Sequence, residues 1–280
     1  MKIVLSAALA CLLIVSSVPG SPCAAAEGLR VSVSILPQAY FVERLAANLA
    51  TVQVMIPKGA SPETYEPTPQ QLIRLADSRL YVKVGAPDFP VEQTYLRAAL
   101  NRNRAMAVVD MAAGVTLLKE DPHVWTSPAA VRIAVENIGR TLEALDPAHR
   151  EVYRGNCGAF IRDIDTLDRE IRQELAGQQG RVFMVYHPAW GYFAHDYGLT
   201  QLAIEQEGKP VSAAHVRKMV DLARARGIRA ILVQKGFDTK GARAIARDIG
   251  GTLVEADPLE RDWLSGMRHV TALLKQILRN

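Results

Sequence analysis

Four side chains with metal-ligand chemistry stand next to prolines in the sequence: Glu63, His123, His187 and Asp257. Proline fixes its own φ and stiffens the segment around it, which suits ligands that must be held in place before an ion arrives. Two imidazoles and two carboxylates together form an N2O2 donor set suited to a divalent transition metal. The common catalytic signatures are missing, since the sequence contains no G-x-S-x-G, H-E-x-x-H or P-loop pattern.

Each of these residues taken alone favours a simpler role. A single loop histidine is more often hydrogen-bonded or exposed than metal-bound, and an aspartate before a proline, such as Asp257, is typical of a turn or a helix cap. His195 is expected to pack or to support the site rather than to bind metal. Three further histidines lie at or within charged helical patterns and are expected at the surface: His149, His215 and His269.

The elements that must position these residues are strands and helices in alternation. Strands are predicted at 31–36, 52–56, 80–84, 106–109, 182–186, 202–204, 231–233 and 253–254, and helices at 40–49, 70–76, 91–100, 191–197, 213–226, 240–249 and 263–278. This alternation predicts parallel sheets covered by helices. Glu63, His187 and Asp257 each follow a predicted strand, and open α/β sheets bind ligands outside the carboxyl ends of their strands.

Strand signals vanish in the middle of the chain. A helix is predicted at 128–145, and a second pattern runs from Asp146-Pro147 to about Leu175, a helix of ~28 residues and ~42 Å. We therefore expect an α/β fold of two lobes, each a mostly parallel sheet flanked by helices, with a metal site in the cleft between them. The expected divisions are an N-terminal lobe at 27–145, a long linking helix at 146–178 and a C-terminal lobe at 179–280.

Residues 1–26 have the pattern of a secretory signal peptide. Lys2 precedes a short apolar run, and the run Ala24–Ala26 offers a cleavage site before Glu27. A membrane anchor is disfavoured because a span needs ~20 apolar residues. Lipid attachment at Cys23 is the weaker alternative, since the residue before it is a proline.

Composition restricts the remaining classes. The 280 residues are 49% hydrophobic and 22% charged, which is a globular balance. The net charge of +4 is dispersed among acidic residues, and no basic run alternates with aromatics, so the sequence gives no support for nucleic-acid binding. Cleavage after residue 26 would leave Cys157 as the only cysteine, which excludes an internal disulfide.

Several motifs together resemble one family over nearly all of the chain after the signal segment. They lie at Pro57–Pro69, Asp121–Trp125, Tyr186–Phe193 and Asp257–Leu259. This set is similar to the TroA-like substrate-binding receptors of bacterial zinc and manganese ABC importers. The resemblance implies a monomeric periplasmic receptor, not an enzyme, that captures a divalent cation and delivers it to a membrane ABC permease. It also implies that the four proline-flanked residues are the metal ligands.

The chain departs from the family at residue 63, where members usually carry histidine. Glu63 either coordinates, giving four protein ligands, or stays back, leaving three and water. Manganese-type members have a carboxylate at the position of His187, and the His-rich acidic loop of many zinc-specific members is absent between Gly85 and Asp121. Zn²⁺ is the expected cargo, with Mn²⁺ or Fe²⁺ as alternatives.

Two functions from other classes stay open at this point. An exported metallohydrolase would keep three protein ligands and an open water position, with Glu63 as a general base. A receptor for a small organic ligand would use the histidines only as polar lining.

Overall fold

The computed structural model describes residues 28–87, 89–119, 121–205, 212–234 and 240–279. The predicted signal peptide at 1–26, with Cys23, lies outside the described residues. Over those ranges, no helix combines the length and the hydrophobicity that a membrane span requires.

The N-terminal lobe is built on a parallel sheet of β1 (Leu29–Val33), β2 (Ala50–Val54), β3 (Leu80–Lys83) and β4 (Ala107–Asp110). Its strand order is β2-β1-β3-β4, with Val31 paired to Val52 on one side and to Leu80 on the other. The helices of this lobe are α1 (Leu36–Ala46), α2 (Pro69–Ala76) and α3 (Arg97–Arg102).

Two consecutive helices follow, α4 (Pro128–Leu145) and α5 (Arg150–Glu174), joined by a 3₁₀ turn at Pro147–His149. The Ser127 hydroxyl caps α4 by accepting a hydrogen bond from Ala130 N at 3.0 Å. Pro128 occupies the first helical position, where proline is favoured. The predicted apolar stripe of α5 is buried, from Phe160 to Ile171. A long helix linking the lobes is confirmed, but it is shorter at both ends than the predicted 146–178, because a 3₁₀ turn occupies Pro147–His149 and the helix ends at Glu174.

The C-terminal lobe repeats the plan of the first. Its strands are β5 (Val182–Val185), β6 (Thr200–Ala203), β7 (Ala230–Val233) and β8 (Thr252–Glu255), all parallel and in the order β6-β5-β7-β8. The helices are α6 (Gly191–Asp196), α7 (Ala213–Ala225), α8 (Lys240–Asp248) and α9 (Trp263–Leu278). The predicted fold class, two α/β lobes with parallel sheets, is confirmed.

Several sequence-based boundaries were wrong, among them the helix predicted at 40–49, which is Leu36–Ala46, and the strand predicted at 52–56, which is Ala50–Val54. Two further differences have clear local reasons. The first strand ends at Val33 rather than Leu36, because the Gln38 side chain accepts from the backbone N–H groups of Ser34 and Ile35 at 2.8 and 3.1 Å and starts α1 there. The helix predicted at 91–100 opens as a π turn at Glu92–Leu96 before α3 begins.

Candidate metal centre

Glu63 lies in the loop between β2 and α2. The loop turns tightly where Tyr65 N donates to Ser61 O at 3.0 Å, and Thr68 caps the following helix. The Ser61 hydroxyl donates to Glu63 Oε2, while Glu63 N donates to Ser61 Oγ at 3.3 Å. One carboxylate oxygen is therefore engaged by the loop, and Oε1 faces the other lobe.

His123 precedes α4 in a short buried segment. Its backbone N and its Nδ1 lie 2.9 and 2.8 Å from Asp121 Oδ1, and its ring lies 5.1 Å from the ring of Trp125. The side chain is only 6% exposed. This packing leaves Nε2 as the ring atom available for another partner.

His187 follows β5 at the carboxyl end of the second sheet. Its Nδ1 lies 2.9 Å from Glu205 Oε2, and its side chain is 12% exposed. Its Nε2 lies 3.2 Å from His123 Nε2 and 3.3 Å from Glu63 Oε1.

Three predicted ligands thus meet between the lobes. Donor atoms of Glu63, His123 and His187 all lie within 4.8 Å of one another. A tetrahedral ion with metal–nitrogen bonds of about 2.0–2.1 Å holds neighbouring donors about 3.3 Å apart. The observed 3.2 and 3.3 Å spacings match that requirement, so these side chains fit a small divalent ion.

The electrostatics of the metal-free cluster favour a charged pair. Burial lowers the pKa of His187, but the hydrogen bonds and charges of Glu205 and Glu63 outweigh it and raise the pKa to about 9. Burial raises the pKa of Glu63, but the hydrogen bond and charge of His187 and the Ser61 hydroxyl outweigh it and lower the pKa to about 2. At neutral pH the Glu63 carboxyl is therefore ionised and the His187 imidazole protonated, so a cation that binds to both would displace a proton from His187.

Asp257 follows β8 but lies outside this group of three. Its Oδ1 accepts from Leu259 N at 2.9 Å. Its segment nevertheless adjoins the site, because the next residue, Pro258, accepts from Trp125 Nε1 through its carbonyl at 2.7 Å. Its role as fourth ligand stays a prediction.

The other histidines occupy different surroundings. The expectation that His195 packs or supports the site was wrong. Its side chain is 68% exposed because its position on the short helix α6 faces solvent, and its Nδ1 lies 3.3 Å from Asp196 Oδ1. His149 and His269 are at the surface as expected. His215 is half-buried, with Nε2 3.0 Å from the carbonyl of Ile204, so it is less exposed than expected.

Asp121 and Glu205 were not assigned roles from the sequence. Asp121 stands in the same motif as His123, and an acidic residue two positions before a candidate ligand histidine was an available signal. Glu205 follows β6, which pairs with the strand before His187, and the sequence alone does not give that pairing.

Two parallel-sheet lobes, a long connecting helix and donor atoms converging between the lobes are the features of a two-lobed solute-binding protein. Residues 31–277 match the family described as "Zinc-uptake complex component A periplasmic". The chain therefore belongs to this family of solute-binding receptors, which confirms the resemblance drawn from its motifs.

Known relatives agree with this placement. The chain is 26% identical to the "High-affinity zinc uptake system protein ZnuA" of Bacillus subtilis, over 90% of this chain and 86% of that protein. It is also 26% identical to the "Iron-binding protein YfeA" of Yersinia pestis, over 74% of this chain and 70% of the relative. A crystal structure of ZnuA superposes with a TM-score of 0.86 at 36% identity, covering 90% of this chain and all of the other.

Proposed function

We propose that this protein is a periplasmic receptor that captures Zn²⁺ between its lobes and delivers it to a membrane ABC permease. The observation that carries the proposal is the cluster of donor atoms from Glu63, His123 and His187, which all lie within 4.8 Å of one another. Within it, His187 Nε2 lies 3.2 Å from His123 Nε2 and 3.3 Å from Glu63 Oε1, which is the spacing that a tetrahedral ion requires. Relatives named for zinc uptake share the fold over most of its length.

The ligand set proposed is Glu63 and His123 from the N-terminal lobe with His187 and Asp257 from the C-terminal lobe. Because each lobe supplies donors, a bound ion links the lobes. Asp257 completes four-coordination through a carboxylate whose segment is already fixed to Trp125. Binding and release of an ion, rather than bond making in a substrate, is what such a closed set of protein ligands performs.

Zinc is proposed over manganese and iron because affinity of nitrogen and oxygen sites rises from Mn²⁺ through Fe²⁺ toward Cu²⁺, and Zn²⁺ lies above both. The named iron-binding relative keeps Fe²⁺ among the alternatives. We further propose that the receptor acts as a monomer after removal of residues 1–26.

Metal titration of the purified metal-free protein tests the proposal. We expect one Zn²⁺ per chain by elemental analysis. His123→Ala and His187→Ala should each lower Zn²⁺ affinity by more than about 100-fold, because a loss of about 100-fold is the most that removing a residue that only supports a ligand usually causes. His149→Ala and His269→Ala are matched controls, since both histidines are at the surface away from the cluster. Equal losses in all four variants would contradict the assignment.

A further inference from the structure

Two carboxylates outside the ligand set each contact the far side of one histidine. Asp121 Oδ1 lies 2.8 Å from His123 Nδ1, and Glu205 Oε2 lies 2.9 Å from His187 Nδ1. A carboxylate oxygen accepts a hydrogen bond from an imidazole N–H, so in each ring Nδ1 is the donor. A neutral imidazole of that tautomer has its lone pair on Nε2, which in both rings is the atom facing the cluster centre.

We propose that Asp121 and Glu205 are positioning residues for the cargo ion: they fix the tautomer and the ring orientation of both histidines so that the two Nε2 atoms point at one metal. The inference rests on the proposed function. Carboxylate partners of ligand histidines also raise the basicity of the coordinating nitrogen, and their loss elsewhere costs about 10- to 100-fold in metal affinity.

Sheet register places Glu205. The ladder between β5 and β6 continues past the strands, with Ile204 N donating to Val185 O at 3.0 Å and Glu205 N donating to Tyr186 O at 2.9 Å. Glu205 therefore lies beside His187 on the neighbouring chain segment. Its backbone is anchored, and its side chain is 20% exposed, so the contact with Nδ1 is well shielded from water.

A glycine of the opposite lobe makes room for Asp121. A Cβ added to Gly191, at the start of α6, would lie 2.1 Å from Asp121 Oδ2. The carboxylate that holds His123 is thus wedged between its own turn and the backbone of the C-terminal lobe. A methyl group at residue 191 must displace the Asp121 carboxylate. The next residue it meets is Gln201, with Nε2 at 3.7 Å, and neither histidine is among its three nearest neighbours.

Zn²⁺ affinity of Asp121→Ala and Glu205→Ala tests the role directly. We expect one ion per chain with affinity reduced about 10- to 100-fold, and substantial recovery in Glu205→Gln, whose Oε1 can still accept from Nδ1–H. Asp146→Ala is the matched control, because Asp146 Oδ2 lies 2.7 Å from His149 Nδ1 at the far end of the 18-residue α4. A loss of similar size in Asp146→Ala, or affinities within about twofold of the parent in the two site variants, would overturn the proposal.

Gly191→Ala supplies a readout that a general loss of stability would not give. With Co²⁺ as the probe, we expect weaker binding and an altered visible absorption spectrum, because His123 no longer meets the ion at its original angle. Gly155→Ala is the control, since a Cβ there meets no atom within 4 Å. An unchanged spectrum and affinity in Gly191→Ala would contradict the role of Asp121.

Metal binding by the unmutated protein distinguishes a failure of this inference from a failure of the proposed function. If the parent binds neither Zn²⁺ nor Co²⁺, the proposed function fails and the positioning role fails with it. If the parent binds and the Asp121 and Glu205 variants bind equally well, only the positioning role is wrong.

Discussion

Glu63 contributes an oxygen donor next to the imidazole nitrogens of His123 and His187. A carboxylate is a harder ligand than imidazole and can bind through one or two oxygens, so it accommodates larger ions and more than four donors. In this chain Oε2 is engaged by the Ser61 hydroxyl, which leaves Oε1 for the ion. If Glu63 coordinates as proposed, we expect the residue at this position to influence which metals the receptor distinguishes.

Replacing the carboxylate tests that influence. Glu63→His should raise the ratio of Zn²⁺ to Mn²⁺ affinity, because Mn²⁺ gains less than Zn²⁺ when an oxygen donor becomes a nitrogen donor. Competition titrations with both metals measure the ratio. Glu66→His is the control, since Glu66 is exposed in the same loop. An unchanged ratio in Glu63→His would show that residue 63 is not a ligand and that fewer protein donors hold the ion.

At the scale of elements, alternation of apolar runs was enough to predict both sheets. Glu63, His187 and Asp257 were placed correctly after the carboxyl ends of strands, because that position depends only on where each strand stops. The meeting of Glu63 with His187 across the lobes could not be derived from spacing, since it depends on how the two sheets are oriented by α5.

Local side-chain bonds explain the errors at element boundaries. The Gln38 carboxamide ends β1 by binding two backbone N–H groups, an interaction that hydrophobic periodicity does not register.

Two residues were misjudged for reasons of tertiary structure. Glu205 was overlooked because its contact with His187 depends on the pairing partner of β6, which only the sheet order defines. His195 was misjudged because its exposure follows from the orientation of a six-residue helix.

The π turn at Glu92–Leu96 brings a carboxylate into the N-terminal lobe. Glu92 is 6% exposed and accepts from the Ser34 hydroxyl and Val84 N, both at 2.5 Å, and from Gly85 N at 3.1 Å. Burial raises its pKa to about 7, although these hydrogen bonds and the charge of Lys83 oppose the rise. Nearby Tyr81 is buried as well, and its pKa is also raised.

The raised pKa predicts a pH dependence of stability. At pH values above 4.5, the ordinary pKa of this carboxyl, the folded state binds more protons at Glu92 than the unfolded state does. The free energy of unfolding therefore falls as the pH rises toward 7, by up to about 3 kcal/mol. Glu92→Gln should remove this contribution and flatten the curve. Urea unfolding of the metal-free proteins between pH 4.5 and 8 measures both slopes, and parallel curves would contradict the prediction.

At the scale of the whole molecule, the lobes share one hydrophobic core. It runs from β1 and α1 through α5 to β5, α6 and α9, while a second, smaller cluster lies under α7 and α8. Polar contacts cross the same boundary: Trp263 Nε1 donates to Trp125 O at 2.7 Å, and Arg261 pairs with Glu43 at 2.5 Å. Such continuity opposes wide separation of the lobes.

Metal binding should therefore change the shape of this receptor only slightly. The 25-residue α5, about 37 Å long, packs against helices of both lobes, and the ring of Trp263 from α9 lies 5.5 Å from that of Phe41 in α1. We expect small-angle scattering to give radii of gyration within about 1 Å with and without Zn²⁺, around the ~18 Å of a compact chain of this length.

Trp263 variants test whether the shared hydrophobic core is what keeps the change in radius of gyration small. Trp263→Ala removes both the ring contact with Phe41 and the hydrogen bond to Trp125. The metal-free form of this variant should have a larger radius of gyration than the parent, and that radius should fall measurably when Zn²⁺ binds. Trp263→Phe keeps a ring against Phe41 and loses only the bond, so it should stay close to the parent. A parent protein that already contracts by several ångströms would mean that α5 bends as a hinge despite its packing, and that donor atoms from the two lobes meet only once the ion is bound.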